Sequence, residues 1–305
     1  MLAEFIHYLE AERRYSPLTV RNYRHDIEQF VAWVEKSGGA PFDPHEIEAV
    51  QIRDWIIFRT ERQKINARAM NRELSSLRTL FRWLRSTGRV HKDIMQSVPS
   101  LRTSHRLPAF VPESRMMPLI DKCETRADDF DDERNALIIL LFYSCGLRLA
   151  ELIGLDRSDF SADNSTLRVR GKGDKERLVP LLEEAAEKIG SHIRRIERQN
   201  ICNSSEKALF LSRSGKRISR SSVYRLVRNE LAQADVQGKK SPHVLRHTFA
   251  THLLNGGADM REIQELMGHA SLQATQVYTH NSIAHLQRTY AKAHPRAQNG
   301  ENEQP

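Results

Sequence analysis

Residues 241–282 read SPHVLRHTFATHLLNGGADMREIQELMGHASLQATQVYTHNS. Pro242 suits the first position of a helix, and Leu245, Phe249, Leu253 and Leu254 supply its apolar positions. On that helix His243, Arg246 and His247 fall at i, i+3 and i+4, so they share one face. Gly256 and Gly257 end it, Asp259 can cap a second helix over MREIQELMG, and Gly268 stops that one directly before His269. A further short helix begins with Ser271 as its cap and carries Tyr278 near its end. The spacing of His243 and His247 would allow zinc, but the glutamate of the His-Glu-x-x-His pattern is missing and Arg246 would repel a cation in the gap. The interposed arginine points to an anion instead.

Upstream, NALIILLFYSCG at 135–146 is apolar on all sides and reads as a buried helix ended by Gly146. Arg148 follows at the start of a turn whose Leu149, Leu152 and Ile153 point inward, and an arginine so close to two buried segments is held rigidly, as phosphate binding requires. Residues 166–180, TLRVRGKGDKERLVP, predict a β-hairpin with Gly171-Lys172-Gly173-Asp174 at its turn. Lys172 sits at the tip between glycines; the Gly-Lys-Gly run lacks the spacing of a P-loop. The short Leu209-Phe210-Leu211 is the one other strand signal, and helices are predicted at 113–124, 181–198 and 219–235.

The N-terminal part predicts four amphipathic helices: residues 2–15, the stretch after a Ser16 cap with Pro17 at N1, residues 47–62, and residues 66–87. The last is the clearest, with Met70, Leu74, Leu77, Phe81 and Leu84 in helical period. Arg68, Arg72, Arg78, Arg82 and Arg85 lie on or near it, which suits either a face laid against DNA phosphates or a solvated surface. From 89 to 112 the period lapses amid three prolines and several serines, which predicts a basic interdomain tether. The expected division is a helical domain at 1–88, a linker at 89–107, a second domain at 108–295 and a disordered tail at 296–305.

A net charge of +8 and a pI near 9.5, with arginines in both halves, suit folded surfaces that face a polyanion. No apolar run approaches the ~20 residues of a membrane span. Three cysteines, Cys123, Cys145 and Cys202, at unrelated spacings argue against a disulfide framework and for a reducing cytoplasm.

Four segments in this order resemble the tyrosine recombinase (phage integrase) family, and within it the Xer group: GLRLAEL at 146–152, RGKGDKER at 170–177, HVLRHTFATHLL at 243–254 and LMGHASLQATQVYTH at 266–280. The resemblance covers nearly the whole chain and implies a mainly α fold. That fold is an N-terminal helical bundle (a SAM-like core-binding domain) and a mostly helical catalytic domain with a small β-hairpin, the two lobes closing as a C-shaped clamp on DNA. Carried over by position, the catalytic set becomes Arg148, Lys172, His243, Arg246, His269 and Tyr278, with Glu151 as an acid that orients the cations. Tyr278 would attack a backbone phosphodiester to give a 3′-phosphotyrosyl link and a free 5′-hydroxyl. Arg148 and Arg246 would hold the non-bridging oxygens, Lys172 would protonate the leaving 5′-oxygen, His243 would accept the tyrosine proton and His269 would donate a hydrogen bond to the phosphate.

The family reaction implies no cofactor, no metal and no ATP. Its implied partners are a double-stranded recombination site, a homo- or hetero-tetramer with a paralogous recombinase working through a Holliday junction, and, for many Xer proteins, an activating DNA translocase. Chromosome-dimer resolution and integration of a transposon or plasmid are both compatible with these boxes. A non-enzymatic helical DNA-binding protein would explain the charge and the helices but not the tyrosine segment. A metal-dependent nuclease would need a carboxylate or histidine cluster that the chain does not display.

Overall fold

A computed structural model describes residues 1–103, 109–126, 129–163, 165–171, 175–202, 205–268, 290 and 292–299. The chain divides into two units, Met1–Arg106 and Leu107–Pro305.

The first unit is a tandem of two helical hairpins. Helix α1 (Leu2–His7) widens into a π-turn at Tyr8–Glu12 and leads to α2 (Pro17–Gly38), and α3 (Ala49–Ile57) widens at Phe58–Arg62 and leads to α4 (Ala67–Ser86). The two connections repeat bond for bond. Arg13 N donates to Tyr8 O as Gln63 N does to Phe58 O, and Tyr15 N donates to Leu9 O as Ile65 N does to Arg59 O. Arg14 and Lys64 both take the left-handed conformation, at φ 49° and 55°. The following caps match as well: the Ser16 hydroxyl accepts from Thr19 N at 3.2 Å and the Asn66 side chain accepts from Ala69 N at 2.9 Å. Asp26 and Ser76, themselves 50 residues apart, meet where the halves touch, the hydroxyl donating to the carboxylate at 2.9 Å.

Phe30, Trp55, Leu74, Leu77 and Leu84 are buried at the centre of this unit, and each such side chain stabilises it by roughly 1.5–3 kcal/mol relative to exposure. Of the five arginines on α4, Arg72 pairs with Asp26 at 3.0 Å, Arg78 donates to Val98 O at 2.9 Å and Arg85 pairs with Asp93 at 2.6 Å. Arg68 and Arg82 are exposed and have no such partner among the described residues. The tether expected from residue 89 is part of this unit as far as Leu101. Val90, Ile94, Met95 and Val98 are buried in its core, and the Asn71 side chain clasps Leu101 by accepting from its N–H and donating to its carbonyl. Apolar residues spaced without a helical period still pack, here around a single 3-10 turn at Ile94–Ser97.

In the second unit α6 (Phe130–Cys145) runs through the core, buried on every side from Ala136 to Cys145. Its cap Asp129 accepts from Asp132 N at 2.8 Å, and Gly146 ends it in the left-handed conformation at φ 57°. Around it lie α5 (Glu113–Thr125), α7 (Leu149–Gly154), α8 (Glu183–Arg198), α9 (Arg220–Gln233), α10 (Pro242–Asn255) and α11 (Met260–Met267). Strands β1 (Phe160–Ser161), β2 (Thr166–Arg170) and β3 (Glu176–Pro180) form an antiparallel sheet in that order, with Val169 opposite Arg177 and Leu167 opposite Val179. The expected hairpin is present; β1 is an added edge. Leu209–Leu211 is not a strand of the sheet, and its neighbourhood makes only the isolated bridges Asp156 to Ala208 and Leu211 to Arg217.

The tail expected to be disordered from 296 starts instead inside a short helix, α12 (Pro295–Asn299). Arg296 is fixed there by ion pairs with Glu184 at 2.6 Å and Glu124 at 3.3 Å, long-range partners that composition alone does not reveal. Tyr290 and His294 are buried against this same unit: the tyrosine hydroxyl donates to Ser144 O, and the His294 ring lies 4.8 Å from that of Tyr143. Among the described residues no helix is long and apolar enough to cross a membrane.

Candidate active site

The site is built around one buried carboxylate. Arg148 ends the turn after α6 and acts as the N-cap of α7, and Glu151 sits at the third position of that helix. The Glu151 side chain therefore reaches back to accept from Arg148 N at 2.8 Å, while the Arg148 guanidinium donates to its other oxygen at 2.7 Å. Only the glutamate half of a capping box is made here: a guanidinium has no acceptor for a helix N–H, so Arg148 pairs with the carboxylate instead.

Two further arginines close on the same carboxylate. Arg177 of β3 forks onto both oxygens at 3.0 and 2.9 Å, and Arg246 of α10 comes within 3.8 Å. Three guanidinium groups around one carboxylate leave an excess of two positive charges in a cluster where Arg177, Arg246 and Glu151 are each nearly inaccessible to water. Such an arrangement favours an anion of high charge density, because attraction is screened little where water is excluded.

The ionisation of the cluster follows from its neighbours. Burial by itself would raise the Glu151 pKa, but the hydrogen bonds and charge of Arg177, then the N–H and guanidinium of Arg148, outweigh it and hold the carboxyl at about 2. Burial, followed by the charge of Arg148, brings Arg246 down to about 10, so it stays cationic at neutral pH.

Each arginine is also tied to backbone. Arg246 donates to Gly146 O and, at 2.6 Å, to Met267 O; Arg148 reaches Gly268 O at 3.4 Å; Arg177 donates to Leu266 O at 3.0 Å. These bonds pin the end of α11 to the arginines. Among the described residues they also leave N–H groups of Arg148 and Arg246 uncommitted, since a guanidinium carries five donors in fixed directions. Gly146 and Gly268 are glycines of necessity: a Cβ at Gly146 would lie 2.4 Å from the Phe249 ring, and one at Gly268 would lie 3.0 Å from Arg177 Cδ.

His243 is exposed in the first turn of α10, one turn before Arg246, and His247 is half-buried. The structure thus brings Arg148 and Arg246 together and sets His243 on the helix that carries Arg246. Lys172, His269 and Tyr278, with Ser271 and the short helix expected around Tyr278, lie outside the described residues. The flanks of two of them are placed: β2 and β3 are paired as far as the bond from Gly171 N to Lys175 O, and α11 ends at Gly268, the residue before His269.

Arg177 was not singled out from sequence, where it reads as one more charge after a basic turn. The signal was available in the strand phase: Arg177 shares parity with Val179, and their partners Val169 and Leu167 face the core. An arginine at an inward position requires a buried anion, and Glu151 is that anion.

The phage integrase family matches residues 110–285, and the N-terminal SAM-like domain of phage integrases matches residues 2–88. Tyrosine recombinase XerC of Thermodesulfovibrio yellowstonii is 36% identical over 297 residues, covering 96% of both chains. Tyrosine recombinase XerD of Lacticaseibacillus casei is 33% identical, covering 97% of this chain and 99% of the relative. The fold is shared with a crystal structure of the XerH site-specific recombinase bound to a palindromic difH substrate, at a TM-score of 0.71 and 20% identity, over 99% of this chain and 84% of that one. With both halves of the chain matched and the arginine cluster assembled from the segments that carried the resemblance, the chain belongs to the phage integrase family of tyrosine recombinases, among its Xer-type members.

Proposed function

We propose that this recombinase resolves chromosome dimers, cutting and rejoining DNA through Tyr278 as nucleophile. The observation that carries the strand-cleavage reading is the convergence of Arg148 and Arg246 on buried Glu151 with an excess of positive charge. A phosphodiester carries one negative charge, and the five-coordinate transition state of its substitution gathers a second. A pocket with two surplus positive charges therefore binds the transition state better than the ground state.

In this scheme the Tyr278 oxygen bonds to phosphorus as the bond to the 5′-oxygen breaks. His243 takes the tyrosine proton, and Lys172 supplies one to the departing 5′-oxygen. His269 and the two arginines hold the non-bridging oxygens. The phosphotyrosyl link conserves the energy of the broken bond, so the reverse attack by a 5′-hydroxyl reseals the strand without ATP.

The first unit, with Arg68 and Arg82 free of protein partners among the described residues, serves as the second DNA-binding surface. We infer a tetramer on two duplexes, exchanging strands through a Holliday junction. The occurrence of both XerC and XerD among its relatives supports a paralogue as the other half of that tetramer.

The role is tested by mapping where the Tyr278→Phe variant binds on the host genome under cross-linking. Dimer resolution predicts one dominant chromosomal site, and a plasmid dimer carrying two direct copies of that site is converted to monomers by the unmodified protein. Binding confined to the ends of mobile elements would overturn this role in favour of an integrase of a transposon or plasmid.

A further inference from the structure

We propose that Arg177 is a positioning residue for the leaving-group proton, locking the β2–β3 hairpin against the arginine pocket so that Lys172, five residues upstream, meets the departing 5′-oxygen. The inference rests on the reading of Lys172 as the general acid.

The geometry separates Arg177 from an arginine that merely neutralises Glu151. Glu151 already has a counter-charge in Arg148, which bonds it through both backbone and guanidinium. Arg177 adds a planar fork onto both carboxylate oxygens and, from Nε, a bond to Leu266 O at the end of α11. One side chain thus joins three elements: β3, which carries it; α7, which carries Glu151 and follows Arg148; and α11, which leads to His269. Its stem is packed closely too: a Cβ on Gly268, which sits in a left-handed turn, would come within 3.0 Å of Arg177 Cδ.

Val169 opposite Arg177 and Arg170 opposite Glu176 carry this fixation along the ladder towards the tip. The pairing continues from Arg177 to the bond from Gly171 N to Lys175 O, so the pin fixes the described strand ends that flank Lys172. Without the pin the hairpin keeps its ladder, its core side chains Leu167, Val169 and Val179 and the ion pairs of Arg168 and Arg170 with Asp159, but loses its side-chain tie to Glu151 and Leu266, and a displacement of about 1 Å in a catalytic group costs on the order of a hundredfold in rate.

The chemical signature of this role is specific. In this reading Lys172 donates a proton to the departing 5′-oxygen, so that it leaves as the 5′-hydroxyl rather than as an alkoxide, a poor leaving group. A bridging sulfur at the same position departs as a thiolate, with a thiol pKa of about 8.5, and needs no proton. A defect confined to proton delivery is therefore rescued by sulfur, and a defect in phosphate binding or in folding is not.

The test compares the unmodified full chain with Arg177→Lys, Arg177→Met and Lys172→Ala on two nicked suicide substrates carrying the mapped host site. One has an ordinary scissile phosphodiester and the other a 5′-bridging phosphorothiolate. Site affinity and melting temperature are measured alongside. Arg177→Lys keeps the charge beside Glu151 but loses the fork and the bond to Leu266, so it folds even if Arg177→Met does not.

The expected result is Arg177→Lys binding within about twofold of the unmodified protein, covalent adduct forming roughly 10- to 100-fold more slowly on the phosphodiester, and recovery to within about threefold on the phosphorothiolate. An unimpaired Arg177→Lys on the phosphodiester would overturn the proposal and leave charge balance as the role of Arg177. Equal slowing on both substrates, with Lys172→Ala rescued, would overturn it as well. If Lys172→Ala is itself not rescued, the general-acid reading falls and this proposal falls with it.

Discussion

Replacing Arg246 with lysine is expected to slow DNA strand cleavage by about 10²- to 10³-fold while leaving site affinity within a few-fold. The rate loss is the size found when one preorganised donor to a developing oxyanion is removed. Arg246 is buried and bridges two carbonyls, those of Gly146 and Met267, which fixes the plane in which its remaining N–H groups point. A lysine ammonium is a point charge on a flexible stem; it can reach one of the two carbonyls but cannot bridge both and still face a phosphate. Affinity is expected to change little because, in the proposed complex, phosphate contacts from both units contribute to it. Single-turnover adduct formation at saturating enzyme separates the two quantities. Parallel losses in rate and affinity would mean that Arg246 holds the ground state as tightly as the transition state.

Replacing Glu151 with glutamine is expected to destabilise the second unit by about 3–5 kcal/mol at pH 7, the cost of breaking a buried pair and leaving its cation uncompensated. Arg177, 6% exposed, is that cation. The effect has a pH signature of known sign. The Glu151 carboxyl is held at about 2 in the folded protein against an ordinary value of 4.5. Its contribution is therefore complete above pH 4.5 and is lost progressively as the pH falls towards 2. Urea unfolding of the two proteins at several pH values should show a constant difference from pH 7 to about 5, closing below 4.5. A difference that persists unchanged at pH 2.5 would show that the stabilisation does not come from the charge on Glu151.

What was legible in the sequence was local. Ser16 before Pro17, Asp259 before α11, Gly146 after α6 and the alternation on either side of Gly171 each announce an element through its own few residues, and each is found where it was expected. Arg148 and Arg246 were legible through the segments that contain them, and they meet in space although 98 positions separate their numbers.

What escaped was carried by distant contacts or by symmetry of structure without symmetry of residue. Arg177 bonds Glu151 across 26 positions and Leu266 across 89, so nothing in its own strand except parity distinguishes it from a surface charge. The duplicated hairpins share a left-handed residue and a polar cap at matching positions, yet Arg14 corresponds to Lys64, Ser16 to Asn66 and Pro17 to Ala67, which conceals the repeat from inspection of residues. Residues 89–101 lacked a period because they wrap a core rather than line one helix face.

The most direct test of the central claim is a nicked suicide substrate carrying the host site, incubated with the full chain in EDTA and without ATP, then resolved on a denaturing gel. The expected result is a DNA–protein adduct joined at a 3′-phosphate, present with the unmodified protein and absent with Tyr278→Phe even though that variant still binds the site. An adduct that persists in Tyr278→Phe, or cleavage that requires a divalent metal, would contradict it.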